Sequence, residues 1–155
     1  MQEDARFSTQ LVDVHEHAPS KTVPPWGAGG ANEQPTQWQR IADEAHGFVI
    51  VVPEYNHGYP GELKLLLDAL FDEYTNKPVG ICGVSGGGFG GARVVHHLKP
   101  VLIEFGMIPT QTALHISAVD ETLAEDGTDQ SDMDLTKPLT KMLDELYERA
   151  SVLRA

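Results

Sequence analysis

The chain has 155 residues, enough for one domain, and a globular chain of that size buries roughly 68–70% of its unfolded surface. Its 11 Lys and Arg stand against 23 Asp and Glu, a formal charge of -12 that opposes phosphate backbones and anionic lipids and argues against nucleic-acid or membrane partners. Cys82 as sole cysteine excludes an intrachain disulfide or cysteine zinc cluster, no run approaches the roughly 20 apolar residues of a membrane span, and Met1-Gln2-Glu3-Asp4 lacks a basic signal-peptide start, so a cytoplasmic setting is expected.

In chain order, Gln10 to Val14 is a short candidate strand with Leu11, Val12 and Val14 apolar. The stretch from Ala18 to Pro35 is rich in Pro and Gly and reads as loop, with Trp26 as a lid, a partner anchor or a packing residue. Trp38, Ile41, Ala42 and Ala45 recur at helical spacing over Thr36 to Ala45. Phe48 to Val52 has no polar face, which predicts a strand covered on both sides at the centre of a parallel sheet.

Leu63, Leu66, Leu67, Leu70, Phe71 and Tyr74 then form a helical stripe flanked by Lys64 and Asp68, with Pro60 suited to its opening. Val79 to Val84 predicts a second strand, and Ala92 to Phe105 a helix with a kink or break near Lys99 because Pro100 removes a donor. A last strand is expected at Thr112 to Ile116 and a final helix over Leu135 to Leu153. Between Asp120 and Asp134 acids crowd without a base, a solvated loop with a weak case for calcium because the calcium-loop spacing is absent. Strands alternating with helices imply a doubly wound, three-layer α/β/α domain.

Two loops leave the carboxyl ends of neighbouring candidate strands, Pro53 to Gly61 and Ser85 to Gly91, where open parallel sheets bind ligands. Tyr55 and Tyr59 can contact a flat ring and Asn56 can donate and accept, although the same residues can simply make a turn and cap a helix. The loop Ser85-Gly86-Gly87-Gly88-Phe89-Gly90-Gly91 exposes amides and a hydroxyl, but it has neither P-loop nor dinucleotide spacing. Gly83-Val84-Ser85-Gly86-Gly87 also fits the G-x-S-x-G elbow, so a small serine hydrolase using Ser85 is a rival, with His96, His97 or His115 as base and Glu104 as a weak choice of acid. Cys82, inside an apolar strand, reads as a small hydrophobe. No pair among His15, His17, His96 and His97 makes a metal site without a further ligand such as His57, and none is assigned.

At Pro53-Glu54-Tyr55-Asn56, Pro60-Gly61, Leu63-Lys64, Asp68 and Ser85 to Gly91 the chain resembles the NADPH-dependent FMN reductase family of flavodoxin-like proteins, from about Phe7 to the C-terminus. The resemblance implies a flavodoxin-like fold and bound FMN reduced by NADPH or NADH, with electrons passed to flavin, quinone or a related small acceptor. It assigns Pro53, Glu54, Tyr55 and Asn56 to the flavin ring, and Gly83, Ser85 and Gly86 to its polar edge. Tyr59 and Phe89 are placed on the acceptor side, and no side chain serves as catalytic base or nucleophile.

It also implies a homodimer or homotetramer through the helices at 61–74 and 91–105. One departure stands out: the family's first strand, phosphate loop and first helix have no counterpart before what resembles its second strand. A shortened reading frame, residues 10–14 filling the vacant sheet position, or a partner chain completing the sheet would each account for it. The alternative reading is a non-catalytic flavodoxin-like interaction or structural protein that does not bind FMN tightly.

Overall fold

The computed structural model describes residues 4–22, 36–131 and 134–153. Trp26 and most of the loop around it lie outside the described residues. Two compact units are present, Met1–Glu44 with Gly61–Glu73, and Ala45–Pro60 with Tyr74–Ala155.

The first unit is helical. The strand expected at Gln10 to Val14 does not form; α1 spans Val14–His17 instead, because the Asp13 side chain accepts the His15 amide at 2.9 Å and starts a helical turn. Helix α2, Gln37–Glu44, begins where Thr36 Oγ1 accepts the Gln39 amide at 3.0 Å, and it buries Trp38 and Ala42 as its periodicity requires. Helix α3 covers only Gly61–Asp68 of the longer stripe, with an ion pair between Lys64 and Asp68 at 2.5 Å. Its last turn tightens as the Ala69 and Leu70 amides reach back three residues to Leu66 and Leu67. The Phe71 amide then donates to the Glu73 carboxylate, and a 3-10 turn follows at Asp72–Tyr74.

The second unit is a parallel sheet between helices. Strand β1, Phe48–Pro53, pairs with β2, Pro78–Val84, in a register running from Phe48↔Val79 to Pro53↔Val84. The centre of the sheet is β2 and not Phe48 to Val52 as expected. On its other edge β2 pairs with β3, Ile108–Pro109, near its start and with β4, Leu114–Ile116, near its end.

Among the described residues β1 has a strand on one edge only, and Val51 is 66% exposed. An apolar run therefore marks a strand without guaranteeing cover on both faces.

The last strand is interrupted for a visible reason. Glu145, on α6 (Thr136–Leu153), accepts the Gln111 amide at 2.6 Å, the Thr112 amide at 3.2 Å and the Thr112 hydroxyl at 2.5 Å, drawing 111–112 out of the ladder. Arg149, one turn later, donates to the Pro109 carbonyl at 2.7 Å.

Two glycines of β2 establish three layers. A Cβ on Gly80 would lie 3.0 Å from Met142 Sδ of α6, whereas one on Gly83 would lie 2.8 Å from Val95 Cγ2 of α4, Ala92–Glu104. Three residues apart on a strand, the two positions point to opposite faces. Leu114 and Ile116 join Cys82 on the α6 face, with Leu135 and Leu139 packed against them. At the other end Tyr74 is fully buried, its ring edge-on to Phe48 at 5.9 Å and to Phe105 at 5.3 Å.

The expected break near Lys99 is also absent, since α4 runs through Pro100 to Glu104. Pro100 and His96, whose carbonyl loses its helical donor, both face solvent, where water can replace the missing bond. The acidic run folds locally: α5 spans Val119–Thr122, Leu123 bridges Asp129, and the Asp126 and Asp129 carboxylates accept the Thr128 and Ser131 amides.

Candidate functional site: two loops at the sheet's carboxyl edge

Because β1 and β2 are parallel and Pro53 pairs with Val84, the two loops start level with each other. The Glu54 amide donates to the Val84 carbonyl at 2.8 Å and the Ser85 amide to the Ile116 carbonyl at 2.9 Å, so the loop bases are tied side by side.

The first loop is a tight turn. Tyr55 and Gly58 exchange amide–carbonyl bonds of 2.9 Å each way, and the intervening Asn56 and His57 have φ of 48° and 70°. Two successive left-handed residues make a type I′ turn, which asparagine tolerates better than most side chains. The turn leaves Tyr55 61% exposed with Asn56 and His57 at its tip, while Tyr59 is half-buried behind it.

The second loop is held at Ser85 and Gly87, whose carbonyls accept the Val119 and Ala118 amides at 3.2 and 3.0 Å. A Cβ on Gly86, Gly87 or Gly88 would meet nothing within 4 Å, so these glycines border open space. Among the described residues their amides make no backbone hydrogen bond. They can therefore donate to a carbonyl or ring nitrogen laid across the loop. Phe89 is 68% exposed beside them.

Two residues assigned to a ligand by resemblance have structural duties. Gly83 is buried, and a Cβ there would lie 2.7 Å from the Gly91 carbonyl oxygen, so its lack of a side chain lets α4 approach the sheet. The Glu54 side chain is 4% exposed and turned toward the start of α4. Its Oε1 accepts Arg93 Nε at 2.5 Å and also pairs with Nη2, and its Oε2 accepts the Arg93 and Val94 amides at 3.2 and 3.3 Å.

Burial works to raise the Glu54 pKa, but the Arg93 guanidinium and these amides outweigh it and hold the carboxyl below its ordinary value. Two amides in the first turn of α4, those of Arg93 and Val94, are thereby occupied by a carboxylate.

Sequence reasoning passed over Arg93. It pairs with Glu54, donates from Nη1 to His57 Nε2 at 2.8 Å and stacks on Phe89 at 4.9 Å from the ring centroid. No spacing rule links positions 54 and 93; only the fold joins them.

The hydrolase reading finds no support in the geometry. Ser85 Oγ donates to the Gly87 carbonyl at 2.8 Å, and one nominated base, His115, uses Nδ1 on the Gly90 carbonyl at 3.1 Å. His96 and His97 sit on the exposed face of α4. Burial pushes the Cys82 thiol up to about 11, which suits a core residue. Among the described residues no group of three or more His, Cys, Asp or Glu side chains is placed to hold a metal ion.

Residues 1–121 match the family described as NADPH-dependent FMN reductase. The chain belongs to that family. It is similar to an NAD(P)H-dependent FMN reductase of Schizosaccharomyces pombe, 39% identical over 116 residues covering 74% of this chain and 54% of the relative. A second, from Saccharomyces cerevisiae, is 35% identical over 100 residues, covering 64% of this chain and 44% of the relative. The chain thus spans about half the length of these FMN reductases.

Among solved structures it resembles FerB, a flavoenzyme NAD(P)H:(acceptor) oxidoreductase from Paracoccus denitrificans, with a TM-score of 0.74 at 21% identity over 96% of this chain and 83% of that one. The fold is accordingly the flavodoxin-like α/β fold expected from the sequence.

Proposed function

We propose that this chain is an NAD(P)H-dependent FMN reductase that transfers hydride through bound FMN to flavin, quinone or a related small acceptor. The observation that carries the reading is the level pair of loops at the carboxyl ends of β1 and β2, with Gly86, Gly87 and Gly88 bordering open space. Membership of the FMN reductase family supports it.

FMN held there would accept hydride from NADPH or NADH and release electrons to the acceptor. The chain's own part is positional. Tyr55 offers an exposed aromatic face and Asn56 a donor and acceptor at the turn tip. Pro53 and the Glu54 backbone form the base of one wall, and Ser85 forms the other with the Gly86, Gly87 and Gly88 amides, which make no backbone hydrogen bond among the described residues. Tyr59 and Phe89 border the acceptor side.

The described residues fit a planar ring better than a phosphate, since the start of α4 already holds Glu54. The same proposal includes assembly of the reductase as a homodimer or homotetramer through the helices at 61–74 and 91–105, the arrangement implied by the family resemblance. A free, buried Cys82 suits a reducing cytoplasm, and no described helix is long and apolar enough to cross a membrane.

The test is retention of colour. Protein mixed with equimolar FMN should keep its flavin absorbance through gel filtration, and anaerobic NADPH or NADH should bleach it. Complete loss of flavin would favour a non-catalytic flavodoxin-like protein, and flavin that is retained but stays oxidised would remove the reductase chemistry. Replacing Tyr55 and Asn56 together with alanine should weaken FMN binding without unfolding the chain.

A further inference from the structure

Glu54 and Arg93 form a clasp that joins the two walls of the crevice. On the first wall Arg93 reaches the loop base through Glu54 and the turn tip through His57. On the second it lies over Phe89. Its backbone amide and that of Val94 close on the same carboxylate, so the clasp is anchored in the first turn of α4.

Guanidinium is suited to this geometry: it is planar, always charged, and presents donors along separate edges while its face stacks on a ring. An ammonium in its place can satisfy the carboxylate but cannot also reach His57 and cover Phe89.

We infer that Arg93 is a positioning residue, setting the separation of the Tyr55–Gly58 turn and the glycine loop and so the fit of a planar ring between them. It acts through Glu54, His57 and Phe89. The geometry stands on its own, while its consequence for FMN rests on the reductase reading above.

The clasp has a spectroscopic signature. Arg93 can only donate, so His57 Nε2 must accept, and the neutral imidazole must carry its proton on Nδ1. The common free tautomer of histidine has no such constraint.

The experiment uses the full chain without flavin, followed by FMN titration. Imidazole nitrogen NMR should show His57 protonated at Nδ1 in the natural protein and lose that preference in Arg93→Ala and Arg93→Lys. Hydrogen exchange over 54–59 should accelerate on the order of tenfold, the loss of about one charge-assisted hydrogen bond, while β2 stays protected. If Arg93→Ala does not fold, Arg93→Lys decides, because it keeps the charge beside Glu54.

FMN affinity should fall about tenfold in either variant by the same measure. Unchanged exchange at 54–59 together with an unchanged His57 tautomer would overturn the clasp, and unchanged FMN affinity would overturn its role in setting the crevice. Failure of the natural protein to bind FMN would instead remove the reductase reading, with the tautomer and exchange results still judging the clasp.

Discussion

Gly83 and Gly91 are mutually dependent: a Cβ on Gly83 would lie 2.7 Å from the Gly91 carbonyl oxygen, and one on Gly91 would lie 2.7 Å from the Gly83 carbonyl carbon. The central strand and the entrance of α4 meet backbone to backbone at this point, directly below the glycine loop.

Alanine at either position should therefore destabilise the fold by about 1–3 kcal/mol, as overpacking in a closed core does. Gly91 should be the worse site, because its φ of 66° also disfavours a side chain. Urea denaturation measures both, and a Gly91→Ala midpoint equal to that of the natural protein would contradict the packing described.

The neighbouring loop should behave oppositely. Gly87→Ala meets no atom within 4 Å and should change stability by no more than about 0.5 kcal/mol. It nevertheless places a methyl group where the ring is proposed to lie, so FMN affinity should drop. Parallel urea and flavin titrations separate the two effects, and a destabilised variant with unaltered flavin binding would reverse the assignment.

Glu145 gives the stability of the sheet edge a pH dependence. Burial opposes ionisation, but the Thr112 hydroxyl and amide, the Gln111 amide and Arg149 more than compensate, holding the carboxyl below its ordinary 4.5. A folded pKa below the unfolded one means that the contribution is full above 4.5 and is lost as pH falls through the lowered folded value. Glu145→Ala should cost about 0.5–1.5 kcal/mol near neutrality by removing the acceptor of the exposed Gln111 amide and the half-buried Thr112 groups. That difference should shrink in acid, and a gap that is constant with pH would refute the linkage.

Cys82 should resist alkylation in the native chain. Raising its thiol from 9.0 to about 11 lowers the thiolate fraction about a hundredfold, and the side chain is buried besides. Iodoacetamide should label it only in denaturant. Rapid native labelling would show that the strand opens.

Local patterns determined a good deal of this protein. The unbroken apolar runs at 48–52 and 79–84 and the helical stripes of α2, α4 and α6 declare their elements, because side-chain burial repeats at the period of the backbone. The two loops were legible for the same reason, as polar and glycine-rich interruptions between strand and helix.

Tertiary structure alone decided which strand is central, since that depends on what pairs with each edge and not on the run itself. It also split the last strand through Glu145, 33 and 34 positions from Thr112 and Gln111, whereas the turn that replaces the strand expected at Gln10 to Val14 is local, set by the Asp13 cap on His15. Above all it brought Arg93 to Glu54, whose carboxylate ties the first loop to the start of α4. Periodicity carries information over a few residues, whereas an ion pair joining positions 54 and 93 exists only after β1, β2 and α4 have packed.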